Sequence, residues 1–68
     1  MTDAEIRRRL EEFVDEIFYG IHSVAEAREL DKRLKAFYKE NNVTFEQKQI
    51  LAESGAGEML YMLVSAPD

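Results

Sequence analysis

The sequence predicts a small all-α domain. Its 68 residues, 46% hydrophobic and 34% charged, have the length and balance of one globular domain. The pattern S/T-x-x-E/Q occurs three times, as Thr2–Glu5, Ser23–Glu26 and Thr44–Gln47. Each occurrence opens a run of apolar residues spaced by three and four, the period of one helix face. In this pattern the hydroxyl accepts from the backbone N–H three residues on. The Glu or Gln reaches back to the N–H of the cap itself, so two orphan donors are satisfied. Three such starts predict three helices.

Helix 1 is expected over about Asp3 to Tyr19, with Ile6, Leu10, Phe13, Val14, Ile17 and Phe18 on one stripe. Gly20 is expected to end it in the left-handed conformation. Helix 2 is expected over about Val24 to Glu40, burying Ala27, Leu30, Leu34, Phe37 and Tyr38. Asn41-Asn42 stops it, because Asn tolerates the left-handed region. The short connection makes helices 1 and 2 an antiparallel hairpin.

Two readings fit the rest. One breaks at Gly55-Gly57 and adds a fourth, short helix. The other runs one helix from Phe45 to about Ser65, kinked near Gly55. Phe45, Ala52, Gly55, Ala56, Met59, Leu60 and Leu63 then share one continuous face, and this is the preferred reading. Interior glycines would cost that helix roughly 1 kcal/mol each, offset by a close crossing at the small residues. Ala66-Pro67-Asp68 is a frayed tail.

Size and composition then constrain function. Below roughly 70–80 residues a single core is marginal without a disulfide, a metal or a partner. The chain has no cysteine and no metal-ligand cluster, so no disulfide, metal or cofactor is expected, and association is the remaining staple. Lack of cysteine at this size also favours a reducing cytoplasm over secretion. No apolar run is long enough to span a membrane, and the charged start MTDAEIRRRLEE has no signal-peptide core.

The segment Met59 to Val64 is apolar on every side of a helix. A hairpin covers only one side of a third helix, so either the segment packs unusually deeply between helices 1 and 2, or, the preferred reading, Met59, Tyr61, Met62 and Val64 form an interface. The expected occupant is a second copy of the chain, making a homodimer. The flexible thioethers of Met suit such a surface.

Charge is segregated. Arg7, Arg8 and Arg9 open helix 1, and Lys32, Arg33, Lys35 and Lys39 close helix 2, so the hairpin gathers them at one pole. Glu11, Glu12, Asp15, Glu16, Glu26 and Glu29 form the other. Helical pairs are expected at Glu5–Arg9, Glu29–Arg33 and Asp31–Lys35. Cations in a first turn oppose the helix dipole, so Arg7, Arg8 and Arg9 are a candidate charged contact with an acidic partner. The net charge of −5 argues against direct nucleic-acid binding. The acidic run suggests an alternative, a mimic of nucleic acid that occupies a nucleic-acid-binding protein.

No reaction chemistry is legible. His22 is the sole histidine and pairs only with Glu26 at i,i+4. Gly55 and Gly57 lack the lysine and preceding strand of a phosphate loop. Tyr19, Tyr38 and Tyr61 read as core-edge aromatics with a wet hydroxyl. The chain is therefore expected not to be an enzyme.

In its order of elements, two capped helices and then a long Ser/Thr-started one, the chain is similar in outline to Hha-type nucleoid-modulating proteins. The likeness lies in that order and not in motif residues. It implies a modulator that binds a DNA-organising partner. The sequence reading is thus a helical protein–protein interaction or regulatory adaptor domain.

Overall fold

The computed structural model describes residues 1–67; Asp68, the end of the expected tail, lies outside them. Among the described residues the chain is all-α, with four helices and no strand: α1 (Asp3–Tyr19), α2 (Val24–Glu40), α3 (Phe45–Ser54) and α4 (Ala56–Val64).

The three expected starts are the first three helix N-termini. Thr2 with Glu5 and Thr44 with Gln47 form complete capping boxes. Ser23 accepts from the Glu26 N–H at 3.1 Å, but the Glu26 carboxylate reaches one residue further, to the His22 N–H at 2.7 Å. Gly20 ends α1 without turning left-handed; its φ is −114° and its N–H donates to Glu16 O at 2.8 Å. Asn42 does turn left-handed, with φ of 48°. The Val43 N–H then reaches back to Tyr38 O at 3.0 Å, and the Val43 side chain is buried. This pair is the reversed bond and apolar contact of a Schellman stop.

The preferred single helix through Gly55 does not form. Gly55 has φ of +83°, which L side chains rarely adopt. The Ser54 hydroxyl fastens the break, donating to Leu51 O at 3.0 Å and accepting from the Ala56 N–H at 3.2 Å. The phase of burial explains why the break is needed. Gln47 and Leu51 are buried on α3, Ala56 and Leu60 on α4. Leu51 and Leu60 are nine positions apart, two and a half turns at 3.6 residues per turn. One continuous helix would send them to opposite sides. The break lets both face the core and leaves Phe45, Ala52 and Met59 of the expected face exposed.

The core joins Ile6, Leu10, Phe13 and Ile17 of α1 to Ala27, Leu30, Leu34 and Phe37 of α2, with Val43, Leu51, Ala56 and Leu60. Packing is closest between α1 and α3 and between α2 and α4. The α1–α2 hairpin is antiparallel, as Phe13 meets Phe37 at 5.7 Å between centroids and Glu16 meets Arg33 at 3.1 Å. Its seam is filled by large groups: Arg9 stacks over Phe37 at 5.7 Å and Arg33 over Phe13 at 6.0 Å. Bulky side chains at a crossing keep backbones apart. Among the described residues no helix is long and apolar enough to cross a membrane.

The two glycines of the last segment are expected to respond oppositely. Gly55→Ala should lose about 1–2 kcal/mol, because alanine must take up the left-handed conformation. A Cβ at Gly57 would stand 3.8 Å from the Leu51 Cβ, an ordinary contact. Gly57→Ala should therefore gain up to about 1 kcal/mol from helix propensity. Denaturant unfolding of the two variants measures both signs; a gain at both positions would mean a continuous helix.

Candidate functional site

The break at Gly55 sets how α4 displays its apolar residues. Ala56 and Leu60 point inward, so the remaining apolar side chains are divided between two outer sides. Met59 and Met62 fall on one side, where with Phe18, Gly55, Glu58 and Leu63 they line an open apolar groove of about 360 Å³. Tyr61 and Val64 fall on the other, in a cleft with Tyr38, Leu34, Leu51 and Leu60. The sequence-based set Met59, Tyr61, Met62 and Val64 is therefore not one patch.

Exposure separates them further. Met62 is 65% exposed, Met59 39% and Tyr61 72%. Val64 is half-buried against the core. Arg28 of α2 donates to Val64 O at 3.4 Å and Ala66 O at 3.3 Å. The first is a carbonyl left orphaned at the end of α4, the second lies just beyond it, and a cation there also suits the helix dipole. The start of the expected frayed tail is thus held in place.

Phe18 joins the Met side. It is 37% exposed, although its spacing put it on the core stripe of helix 1. A signal for this was present: Ile17 and Phe18 are consecutive, hence about 100° apart on a helix. Only one of them can point at the centre, and Ile17 does, at 2% exposure. On α1 the neighbours of Phe18 at three, four and seven positions back are Asp15, Val14 and Glu11; both carboxylates are exposed and Val14 is half-buried.

The arginine triplet is largely occupied within the fold. Arg7 turns back on Asp3, its Nε 2.9 Å from the carboxylate. Arg9 pairs with Glu12 at 3.2 Å while stacking on Phe37. Arg8 is exposed. Of the three expected helical pairs only Asp31–Lys35 forms, at 2.9 Å. Glu5 is taken by its capping box, and Arg33 prefers Glu16 across the hairpin.

Asp3 also ties α1 to α3. It accepts from the Gln47 side-chain amide at 2.7 Å, while Gln47 Oε1 accepts from the Thr44 N–H at 2.9 Å. Gln47 is the buried polar residue of the described core, and both ends of its amide are used. The bond from Gln47, then that from Arg7, hold the Asp3 carboxyl below its usual range. The Thr2 backbone N–H, then its hydroxyl, do the same for Glu5. Burial, then the charge of Asp31, raises the Tyr38 hydroxyl. Lys48 stands over the Tyr38 ring at 4.8 Å.

A third hollow, between the end of α1 and the start of α2, is lined by Glu16, Glu26, Glu29 and Arg33. Among the described residues no group of three or more His, Cys, Asp or Glu could hold a metal ion. His22 meets Glu26 through its backbone N–H. Compared with protein-family models, curated proteins and solved structures, the chain matches none.

The lowered carboxyls make stability depend on acid. Their contribution is present above the unfolded values near pH ~4 and is lost as the pH falls through the folded values. At neutral pH Asp3→Asn should be less stable than the parent, and the gap should close below about pH 4. Thermal unfolding against pH measures this; a gap constant down to strong acid would mean that the Asp3 charge contributes nothing.

Proposed function

We propose that the chain is a non-enzymatic protein–protein interaction domain. Its contact surface is the apolar groove between the end of α1 and α4. The observation that carries this reading is the exposure of Phe18, Met59 and Met62 side by side. A chain this short leaves large side chains in water although its core is marginal in size. Exposed apolar surface gathered in one place marks an interaction site more often than scattered residues do. Met at the centre favours adaptable packing against a helix, whose anchors repeat every three to four residues. A regulatory adaptor that works by helix-face packing fits these features.

A second copy of the chain and a different protein are the two kinds of occupant. Small size favours the first, since association would add core. Nucleic-acid mimicry has less support, because Glu12 and Glu16 of the acidic run are spent on Arg9 and Arg33.

The test uses a neutral amphipathic helical peptide with Leu and Phe on one face. Backbone shift mapping should place its contacts at Phe18, Met59 and Met62. Met62→Glu should weaken binding about tenfold or more, a loss of about 1.4 kcal/mol, with helicity unchanged by circular dichroism. Perturbations elsewhere, or a Met62→Glu variant that binds equally well, would contradict this surface.

A further inference from the structure

We infer that the occupant of this groove is a cationic amphipathic helix of another protein, which rests on the reading of the groove as an interaction surface. Most carboxylates of α1 and α2 are engaged: Asp3 with Arg7 and Gln47, Glu12 with Arg9, Glu16 with Arg33, Asp31 with Lys35. Glu5 and Glu26 accept from helix-start N–H groups. Glu11, Asp15 and Glu58 have no such partner among the described residues. The same holds of Glu29, Glu40, Glu46 and Glu53, none of which lines the groove. Glu58 lines it, and Glu11 and Asp15 lie on the side of α1 that carries Phe18.

No Lys or Arg lines the groove. The sequence has no Lys or Arg between Arg9 and Arg28, and only Lys48 after Lys39. Lys48 sits over Tyr38, whose ring borders the opposite cleft. Arg28 is turned to the end of α4. Arg8 lies one turn before Glu11 and shares a side of α1 with Asp15, but it is ten residues before Phe18, about 15 Å along the helix. The groove thus has an apolar floor, the Glu58 carboxylate in its lining, Asp15 one turn before Phe18, and no Lys or Arg lining it.

A second copy fits this groove poorly. A two-fold interface joins the same patch to itself, so it would set the Glu58 carboxylates of both copies in one interface, on chains that each carry a net charge of −5. Like charges across an interface work against association. A helix with Leu, Phe or Met on one face and Lys or Arg on its flanks matches both the floor and these carboxylates. The nine residues of α4, about 13 Å long, would contact two to three turns of it.

The experiment titrates the full chain with two helical peptides that share one Leu/Phe face, one flanked by Lys and the other by Glu. Fluorescence anisotropy is read at about 50 mM and about 300 mM salt, and the molar mass of the chain alone is taken by sedimentation equilibrium. The Lys peptide should bind at least tenfold tighter at low salt, with the gap shrinking at high salt. The triple variant Glu11→Gln, Asp15→Asn, Glu58→Gln should remove most of that gap. The same charge change at Glu29, Glu40 and Glu46 should preserve it. Equal binding of both peptides, or a triple variant without effect, would overturn the cationic partner. The interaction surface would still stand if Met59→Gln with Met62→Gln abolished binding. A chain that dimerises alone, and becomes monomeric in that double Met variant, would make the occupant a second copy. Lys-peptide binding that survives the double Met variant would overturn both readings, as attraction to net charge alone.

Discussion

The left-handed turn at Gly55 is the constraint on which the rest of the structure depends. It joins two short helices whose buried sides are about half a turn out of phase. With that offset, α3 packs on α1 while α4 packs on α2, and one core forms from both pairs. The hydroxyl of Ser54 makes the turn self-contained. Without it, Leu51 and Leu60 could not both be buried, and a chain this small has little apolar burial to spare.

The candidate surface follows from the same turn. Once Ala56 and Leu60 face inward, Met59 and Met62 must emerge beside Phe18, and Tyr61 must emerge on the far side. The polar junctions close the remaining gaps. Gln47 links the starts of α1 and α3 through Asp3, and Arg28 fastens the end of α4. No Lys or Arg lines the groove, so the Glu58 carboxylate stands there without a cation beside it.

Much of this was legible in the sequence because capping chemistry is local. Thr2, Ser23 and Thr44 marked their helix starts, and the stripes of α1 and α2 gave most of the core. The failures were tertiary. The continuous face from Phe45 to Leu63 favours an unbroken helix, while the nine-residue spacing of Leu51 and Leu60 argues against it. Gly20 matched a left-handed stop by residue type, yet the chain leaves α1 without one. Met59 and Met62 were separable from Tyr61 and Val64 only once the phase of α4 was known. Arg28 had no sequence signal, since its acceptors are backbone carbonyls 36 and 38 residues away.

The central claim is that the Met side of α4 is wet in the free chain and stays so at high concentration. The chain has three methionines, Met1, Met59 and Met62, so their methyl groups give three resolvable NMR signals. A soluble paramagnetic probe should broaden all three, Met62 nearly as strongly as the terminal Met1, from micromolar to millimolar protein. Protection of Met59 and Met62 at every concentration would contradict the exposed groove. Protection that grows with concentration would mean that the chain covers this surface with itself.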